Sequence, residues 1–167
     1  RVYSDDRPVK ETDVSNITSF SGIRTLVITD PAAGDEDILD LLHKLRLNIS
    51  ITNFQKSTAG QIKANLESGD DKYNLIIILN DREFDAFEVV SALWDHGLHE
   101  KLILMMISNH ERKGDFLKSI LLAVDHYFVM PADLSGLAEA LRRSFPLVEK
   151  GAGSDGDVKL RENISAL

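Results

Sequence analysis

Short apolar runs alternate with amphipathic stripes through the central part of the chain. Two of these runs, residues 75–79 and 102–107, are uninterrupted, which is typical of strands covered on both faces of a sheet. Residues 48–54 alternate apolar and polar side chains instead, and this predicts an edge or half-buried strand. Further strands are expected at residues 24–29 and 127–130.

An amphipathic stripe follows each predicted strand and predicts a helix there. The residues that mark these helices are Ile38, Leu41, Leu42 and Leu45; Ile62 and Leu66 after a cap at Ser57 or Thr58; Ala86, Val89, Val90 and Leu93 before Gly97; Phe116, Ile120 and Leu121 in a weaker pattern; and Leu134, Leu137, Ala138 and Leu141. Parallel strands need crossover connections, so this order predicts an α/β fold, a doubly wound five-stranded parallel sheet.

The two ends of the chain differ from this central part. Residues 1–21 and 147–167 are polar and lack periodicity, and residues 151–157 are rich in Gly and Asp, which is typical of flexible connectors. We therefore predict one domain at residues 22–146 between two linkers, in a piece of a longer protein.

Composition narrows the classes of function. The net charge of −8 argues against a nucleic-acid partner, because such proteins usually cluster Lys and Arg. The chain has no cysteine, which excludes disulfides and thiolate zinc sites and suits the cytoplasm. No apolar run approaches the roughly 20 residues of a membrane helix, and no signal peptide is recognisable, so no direct membrane contact is expected.

In doubly wound sheets, chemistry lies at the carboxyl ends of the strands. The segments that follow the predicted strands are Thr29-Asp30-Pro31, Asn80-Asp81-Arg82, Ser108-Asn109-His110 and Met130-Pro131. Together with the stretches 73–79, 85–90 and 127–131, their order and spacing resemble response-regulator receiver domains of the CheY-like, flavodoxin-like kind. The resemblance covers about residues 22–146.

This resemblance implies a pocket in which several phosphorylation residues are replaced. Receivers place two acids after the first strand, an acceptor Asp at the end of the third, a hydroxyl after the fourth and a Lys after the fifth. The corresponding residues are Thr29 and Asp30 for the acids, Leu79 or Asn80 for the acceptor, Ser108 for the hydroxyl and Met130 for the Lys. Neither Leu nor Asn can form an acyl phosphate, so three of five roles are lost.

Two residues leave other interpretations of the pocket open. Tyr127 matches the aromatic residue that changes position in receivers, although a core tyrosine is the simpler interpretation. Asp81 lies just beyond the acceptor position, so a bulge could make it an atypical phosphoacceptor, with Asp30 and Asp81 binding Mg²⁺. Asp81 also suits an exposed turn, and Asp30 suits a cap of the first helix.

The favoured hypothesis is a phosphorylation-independent pseudo-receiver, not an enzyme by itself and without a cofactor, from a cytoplasmic hybrid sensor histidine kinase. Its expected partners are histidine kinases or other receiver domains, in the same or another chain, or a second copy in a homodimer. A competent phosphoacceptor and a small-ligand sensor on the same sheet are the alternatives.

Overall fold

The computed structural model describes residues 20–30, 35–68, 71–82 and 84–146. Residues 1–19 of the predicted linker 1–21, and the whole predicted linker 147–167, lie outside these residues, so the domain boundaries stay a prediction. The strands are β1 (Arg24–Thr29), β2 (Asn48–Asn53), β3 (Leu75–Asn80), β4 (Ile103–Ser108) and β5 (His126–Val129). The helices are α1 (Glu36–Lys44), α2 (Thr58–Glu67), α3 (Ala86–Asp95), α4 (Asp115–Leu121) and α5 (Leu134–Ser144), after a short 3₁₀ turn at Phe20–Gly22.

The described strands form one parallel sheet in the order β2-β1-β3-β4-β5. This confirms the predicted doubly wound, flavodoxin-like α/β fold. Strands β3 and β4 are buried at every position, whereas β2 lies at the edge and all its residues are exposed or half-buried. The strand order reverses between β1 and β3, which are neighbours in the sheet. At such a reversal, a ligand crevice is expected outside the carboxyl ends of the two strands.

Helices cover both faces of the sheet and create two apolar layers. One layer packs α1 and α5 against the sheet through side chains such as Ile38, Leu42 and Leu141. The other packs α2 and α3 through Ile62, Val90 and Leu93. The pleat alternates β3 side chains between the two layers, so successive residues of this strand face opposite sides.

Helix α4 departs from the predicted pattern. Its buried residues are Asp115 and Ser119, whereas Phe116, Ile120 and Leu121 are exposed. The expectation of an ordinary core-facing apolar stripe is therefore wrong for this helix. The cause is a tertiary contact. The Asp115 carboxylate lies beneath the helix, where it accepts hydrogen bonds from the Asn80 side chain after β3 and from the Arg112 backbone N–H after β4.

The start of α1 also differs from expectation. The residue that precedes this helix is Asp35, not Asp30, so the interpretation of Asp30 as its cap is wrong. The side chain of Asp35 makes no capping hydrogen bond to the helix. No helix among the described residues is both long and apolar enough to cross a membrane.

Candidate functional site

The carboxyl ends of β3 and β4 bring Asn80 and Ser108 side by side. These two residues are direct partners in the parallel register, and both are fully buried. Leu79, the other residue considered for the acceptor position, lies in the apolar layer beneath α1 and α5. Of the two alternatives, Asn80 is therefore the one whose side chain meets the Ser108 hydroxyl.

Every polar atom of the Asn80 side chain is engaged. Its Oδ1 accepts a hydrogen bond from the backbone N–H of Ala86 at 3.1 Å. Its Nδ2 donates to Ser108 Oγ at 3.2 Å and to Asp115 Oδ2 at 3.3 Å. An aspartate could not make the two donations, because an ionised carboxylate only accepts hydrogen bonds. The amide is thus matched to its surroundings in a way that a carboxylate is not.

Arg112 and Asp115 complete this arrangement, and sequence reasoning missed both. Asp115 is 1% exposed and accepts from the backbone N–H of Arg112 at 2.8 Å. The guanidinium lies 3.8 Å from Asp115 Oδ2 and donates from Nη2 to the carbonyl oxygens of Asp81 and Arg82. The spacing of three residues was the available signal, but it suits a surface ion pair equally well.

We call Asn80, Ser108, Arg112 and Asp115 the β3–β4 network. Arg112 follows β4, yet it holds the carbonyl oxygens of the loop that follows β3. Because a planar guanidinium donates several hydrogen bonds in a fixed geometry, it joins the two loops as one unit. On this side of the crevice, the polar groups are therefore engaged in hydrogen bonds with one another.

The half of the crevice beside β1 is arranged differently. Thr29 Oγ1 donates to Asp35 Oδ2 at 2.7 Å, and Asp35 is 4% exposed. The second oxygen of this carboxylate, Oδ1, is buried and has no hydrogen-bond partner among the described residues. Burial raises the pKa of Asp35, hydrogen bonding by the side chains of Thr29 and Asn109 opposes the shift, and the negative charge of Asp81 adds to it. Sequence reasoning missed Asp35, which lies beyond the motif segments.

Asp81 and Asp30 lie at the same edge. Strand β3 runs in register with β4 as far as Asn80, so no bulge brings Asp81 into the acceptor position. The Asp81 carboxylate is half-buried and accepts from the backbone N–H of Arg82 at 2.7 Å. Its negative charge contributes to raising the pKa of Asp35. Asp30 is half-buried next to Thr29.

These residues do not fit the Mg²⁺ site of a receiver. The acceptor position offers no oxygen, since Asn80 Oδ1 is taken by Ala86, and the Thr29 hydroxyl is directed at Asp35. Within the described segments, no cluster of three or more Asp, Glu, His or Cys side chains could hold a metal ion. The expectation of a domain without a cofactor remains a prediction.

Met130 is the residue that the resemblance assigns to the position of the receiver's Lys. Its backbone N–H donates to the Ser108 carbonyl oxygen at 2.9 Å, and a cis peptide bond joins it to Pro131. The side chain is half-buried and packs against the apolar layer of α1 and α5. A thioether in this position provides packing but no charge for an anion.

Tyr127 is directed inward and is 6% exposed. Its hydroxyl donates to Glu111 Oε2 at 2.9 Å, and its ring contacts Phe116 of α4. Burial, followed by the hydrogen bond to Glu111, raises the pKa of Tyr127 above its ordinary value. The aromatic ring is thus held beneath the loop that begins α4, and its role as a switch stays a prediction.

Comparisons with known proteins agree with this architecture. No protein-family model and no curated protein matches the sequence. A solved structure of a putative pilus assembly-related protein from Burkholderia pseudomallei is 18% identical, with a TM-score of 0.59 over 80% of this chain and 98% of its own.

Two further solved structures are named for receivers or chemotaxis. A signal receiver domain of an HD domain-containing protein from Pseudomonas fluorescens is 15% identical, with a TM-score of 0.55 over 74% of this chain and 94% of its own. Chemotaxis protein CheY4 from Vibrio cholerae is 13% identical, with a TM-score of 0.53 over 73% of this chain and 98% of its own. At these identities the likeness establishes the fold, which is that of response-regulator receiver domains.

Proposed function

We propose that this domain is a pseudo-receiver, a regulatory protein-interaction domain of two-component phosphorelay signalling that works without being phosphorylated. The observation that carries the proposal is the fully buried Asn80 amide, with each of its polar atoms engaged at the end of β3. Phosphoryl transfer to a receiver needs a carboxylate that can attack phosphorus, and an amide does not form the acyl phosphate.

The surroundings of Asn80 support the same conclusion. Met130 supplies no positive charge where a transferred phosphoryl group would need one, and the nearby guanidinium of Arg112 is committed to the Asp81 and Arg82 carbonyl oxygens. Charge stabilisation of the phosphoryl oxygens is most of what catalyses this transfer. The domain then acts through the surface that it presents to a partner.

The direct test is phosphorylation of the full chain. We expect no covalent adduct by intact mass spectrometry after incubation with acetyl phosphate and Mg²⁺, under conditions that phosphorylate a competent receiver treated in parallel. An adduct on the wild-type chain would contradict the proposal. Its loss in Asp81→Asn would identify the acceptor.

Asp81 is the acceptor in the competing proposal, an atypical receiver that uses Mg²⁺. The observation in its favour is the proximity of two acids, because the Asp81 charge contributes to raising the pKa of Asp35. Against it stands the regular β3 strand, which ends one residue earlier and directs Asn80 to Ser108 instead. The mass measurement separates the two proposals without a further assumption.

For the context, we propose a cytoplasmic hybrid sensor histidine kinase as the parent, with a kinase or another receiver as the partner. Deleting residues 22–146 from the parent should alter its autophosphorylation or phosphorelay rates, and unchanged kinetics would exclude this role. The similarity to the fold of a putative pilus assembly-related protein makes a pilus assembly protein the second context. Purification of the full-length parent and assay of its kinase activity distinguish the two.

A further inference from the structure

The solvent-facing side of α4 is unusually apolar. Leu117 is 58% exposed and Leu121 is 73% exposed, and they are one helical turn apart. Complete burial of a leucine side chain stabilises by about 1.5–3 kcal/mol, and each of these leucines forgoes a large part of that. Adjacent exposed apolar side chains of this kind often mark a surface that binds another protein.

Next to this side, α3 and α4 enclose a shallow groove of about 600 Å³. Its apolar lining includes Phe87 and Ala92 of α3, and Leu121 and Leu122 at the end of α4. We call this the α3–α4 groove. It is too shallow to bury most of a small ligand, as drug-sized sites usually do.

The two walls of the groove are held together by specific contacts. Trp94 Nε1 of α3 donates a hydrogen bond to the carbonyl oxygen of Leu122. Lys118 Nζ lies 5.5 Å from the centre of the Phe87 ring, a cation–π contact across the groove. Because both contacts join α3 to α4, the groove is formed before any partner arrives, which lowers the entropic cost of binding.

The rim of the groove carries a row of acids. Asp85, Glu88 and Asp95 all line it and are exposed, with Lys118 as the basic residue among the lining side chains. Spacings of three and seven residues place these acids along one side of α3, over about 15 Å at 1.5 Å per residue. The row therefore repeats at intervals that match the turns of a partner helix.

We infer that the α3–α4 groove docks an amphipathic helix of a protein partner, with apolar anchors over Ala92 and Leu121 and a row of Lys or Arg along the acidic rim. Helix-in-groove binding uses this combination of an apolar lining and complementary charge. The inference rests on the proposed interaction function and names the surface and the chemistry of the partner. Acidic partners and nucleic acids are repelled by the same rim.

The test uses the full chain and a labelled synthetic peptide of about 14 residues, in which Leu recurs at i, i+3, i+4 and i+7 and Lys fills the flanking positions. Fluorescence anisotropy should show saturable binding that weakens with added salt. Glu88→Lys should weaken binding about 10-fold or more through charge reversal, and Leu121→Ser, at an exposed site, about 5-fold through loss of an anchor.

The matched control is Asp40→Lys, which makes the same charge change on an exposed position of α1, across the sheet. It should change the affinity less than about 2-fold, since the charge is more than a Debye length from the groove at physiological salt. A peptide with Glu in place of Lys should not bind. Equal weakening by Glu88→Lys and Asp40→Lys, or equal binding of the Glu peptide, would overturn the inference.

A failure of the groove inference can be distinguished from a failure of the proposed function. If the peptide does not bind the wild-type chain and acetyl phosphate leaves no adduct, the groove inference falls and the pseudo-receiver proposal stands. If an adduct forms while the peptide binds as predicted, the groove stands and the pseudo-receiver proposal falls.

Discussion

The two halves of the crevice treat their buried polar groups in opposite ways. On the β3–β4 side, Asn80 and Asp115 are fully buried and each has several hydrogen-bond partners. On the β1 side, the Asp35 carboxylate is also buried, but its Oδ1 has no partner among the described residues. A satisfied network stabilises and fixes the loops around it, whereas an unsatisfied buried carboxylate costs free energy.

This contrast shows which side of the crevice is fixed by buried hydrogen bonds and which side is not. The side chain at the end of β3, Asn80, is an interior structural amide joined to Arg112 and Asp115. The acidic character of the crevice has remained on the β1 side, at Asp35 and Asp81, where one of the two carboxylates is half-exposed. Four substitutions test this difference, and they follow from the largest expected effect to the smallest.

Asn80→Asp should break the satisfied side. The new carboxylate would lose both donations from Nδ2 and would face the Asp115 carboxylate in a buried position, with partial compensation from Arg112. We expect a loss of about 2–3 kcal/mol in the free energy of unfolding at neutral pH, measured by urea denaturation. The loss should shrink as the pH falls and the acid is protonated.

The matched control is Asp81→Asn, the same pair of residue types at the next position. It removes a charge that acts against Asp35, so it should leave the stability unchanged or raise it slightly. If Asn80→Asp were as stable as the wild type at neutral pH, the amide would not be the structural residue described above.

Arg112→Ala should loosen the joint between the loops that follow β3 and β4. The carbonyl oxygens of Asp81 and Arg82 would lose the guanidinium, although water can replace part of it because Arg112 is one-third exposed. We expect a loss of about 1–2 kcal/mol and faster amide hydrogen exchange in the loop after β3. Arg112→Lys keeps the charge but not the fork of donors, so rescue by Lys would contradict a geometric role.

Asp35→Asn should improve the unsatisfied side. The pKa of Asp35 is raised by burial above its ordinary 3.8, so the folded wild type binds this proton more tightly than the unfolded chain does. Stability from this group is therefore complete below pH 3.8 and is lost as the pH rises through the folded-state pKa. The variant should have a higher melting temperature at neutral pH, with the gain vanishing in acid; a constant gain would exclude this cause.

Tyr127→Phe should have the smallest effect of the four on stability. It removes the hydrogen bond to Glu111, an exposed residue, and we expect a loss of about 0.5 kcal/mol. The pKa of Tyr127 is raised, so its stabilising contribution is present below its ordinary pKa of 10.0 and is lost as the pH rises beyond the folded-state value. Ultraviolet titration should show a late tyrosine that the variant lacks; no late component would contradict the buried hydrogen bond.

Much of the fold could be predicted from local patterns. The uninterrupted runs became the central strands β3 and β4, and the alternating run became the edge strand β2. Helix α3 ends before Gly97, whose positive φ of 72° suits glycine. These features depend on neighbours within a few residues, so a single sequence carries them.

The candidate site was only partly predictable. The predicted strand ends identified Asn80, Ser108 and Met130 as candidates. The choice between Leu79 and Asn80, however, required the register of β3 against β4. Arg112 and Asp115 lie more than 30 positions along the chain from Asn80. No local pattern reveals that they meet it, or that Asp35 pairs with Thr29.

Helix α4 shows the limit most clearly. Its apolar residues fit a helical stripe, and the sequence alone favours burying them. In the structure, Asp115 lies on the inner face of α4 and bonds to polar groups at the ends of β3 and β4. The leucines therefore face solvent. The order of strands and helices and the types of residue that follow each strand were determined by the sequence, because periodicity and residue type are local properties. Which side of α4 faces inward, and which carboxylate oxygen lacks a hydrogen-bond partner among the described residues, was decided only by tertiary structure, because buried polar groups must be satisfied by whatever the fold brings next to them.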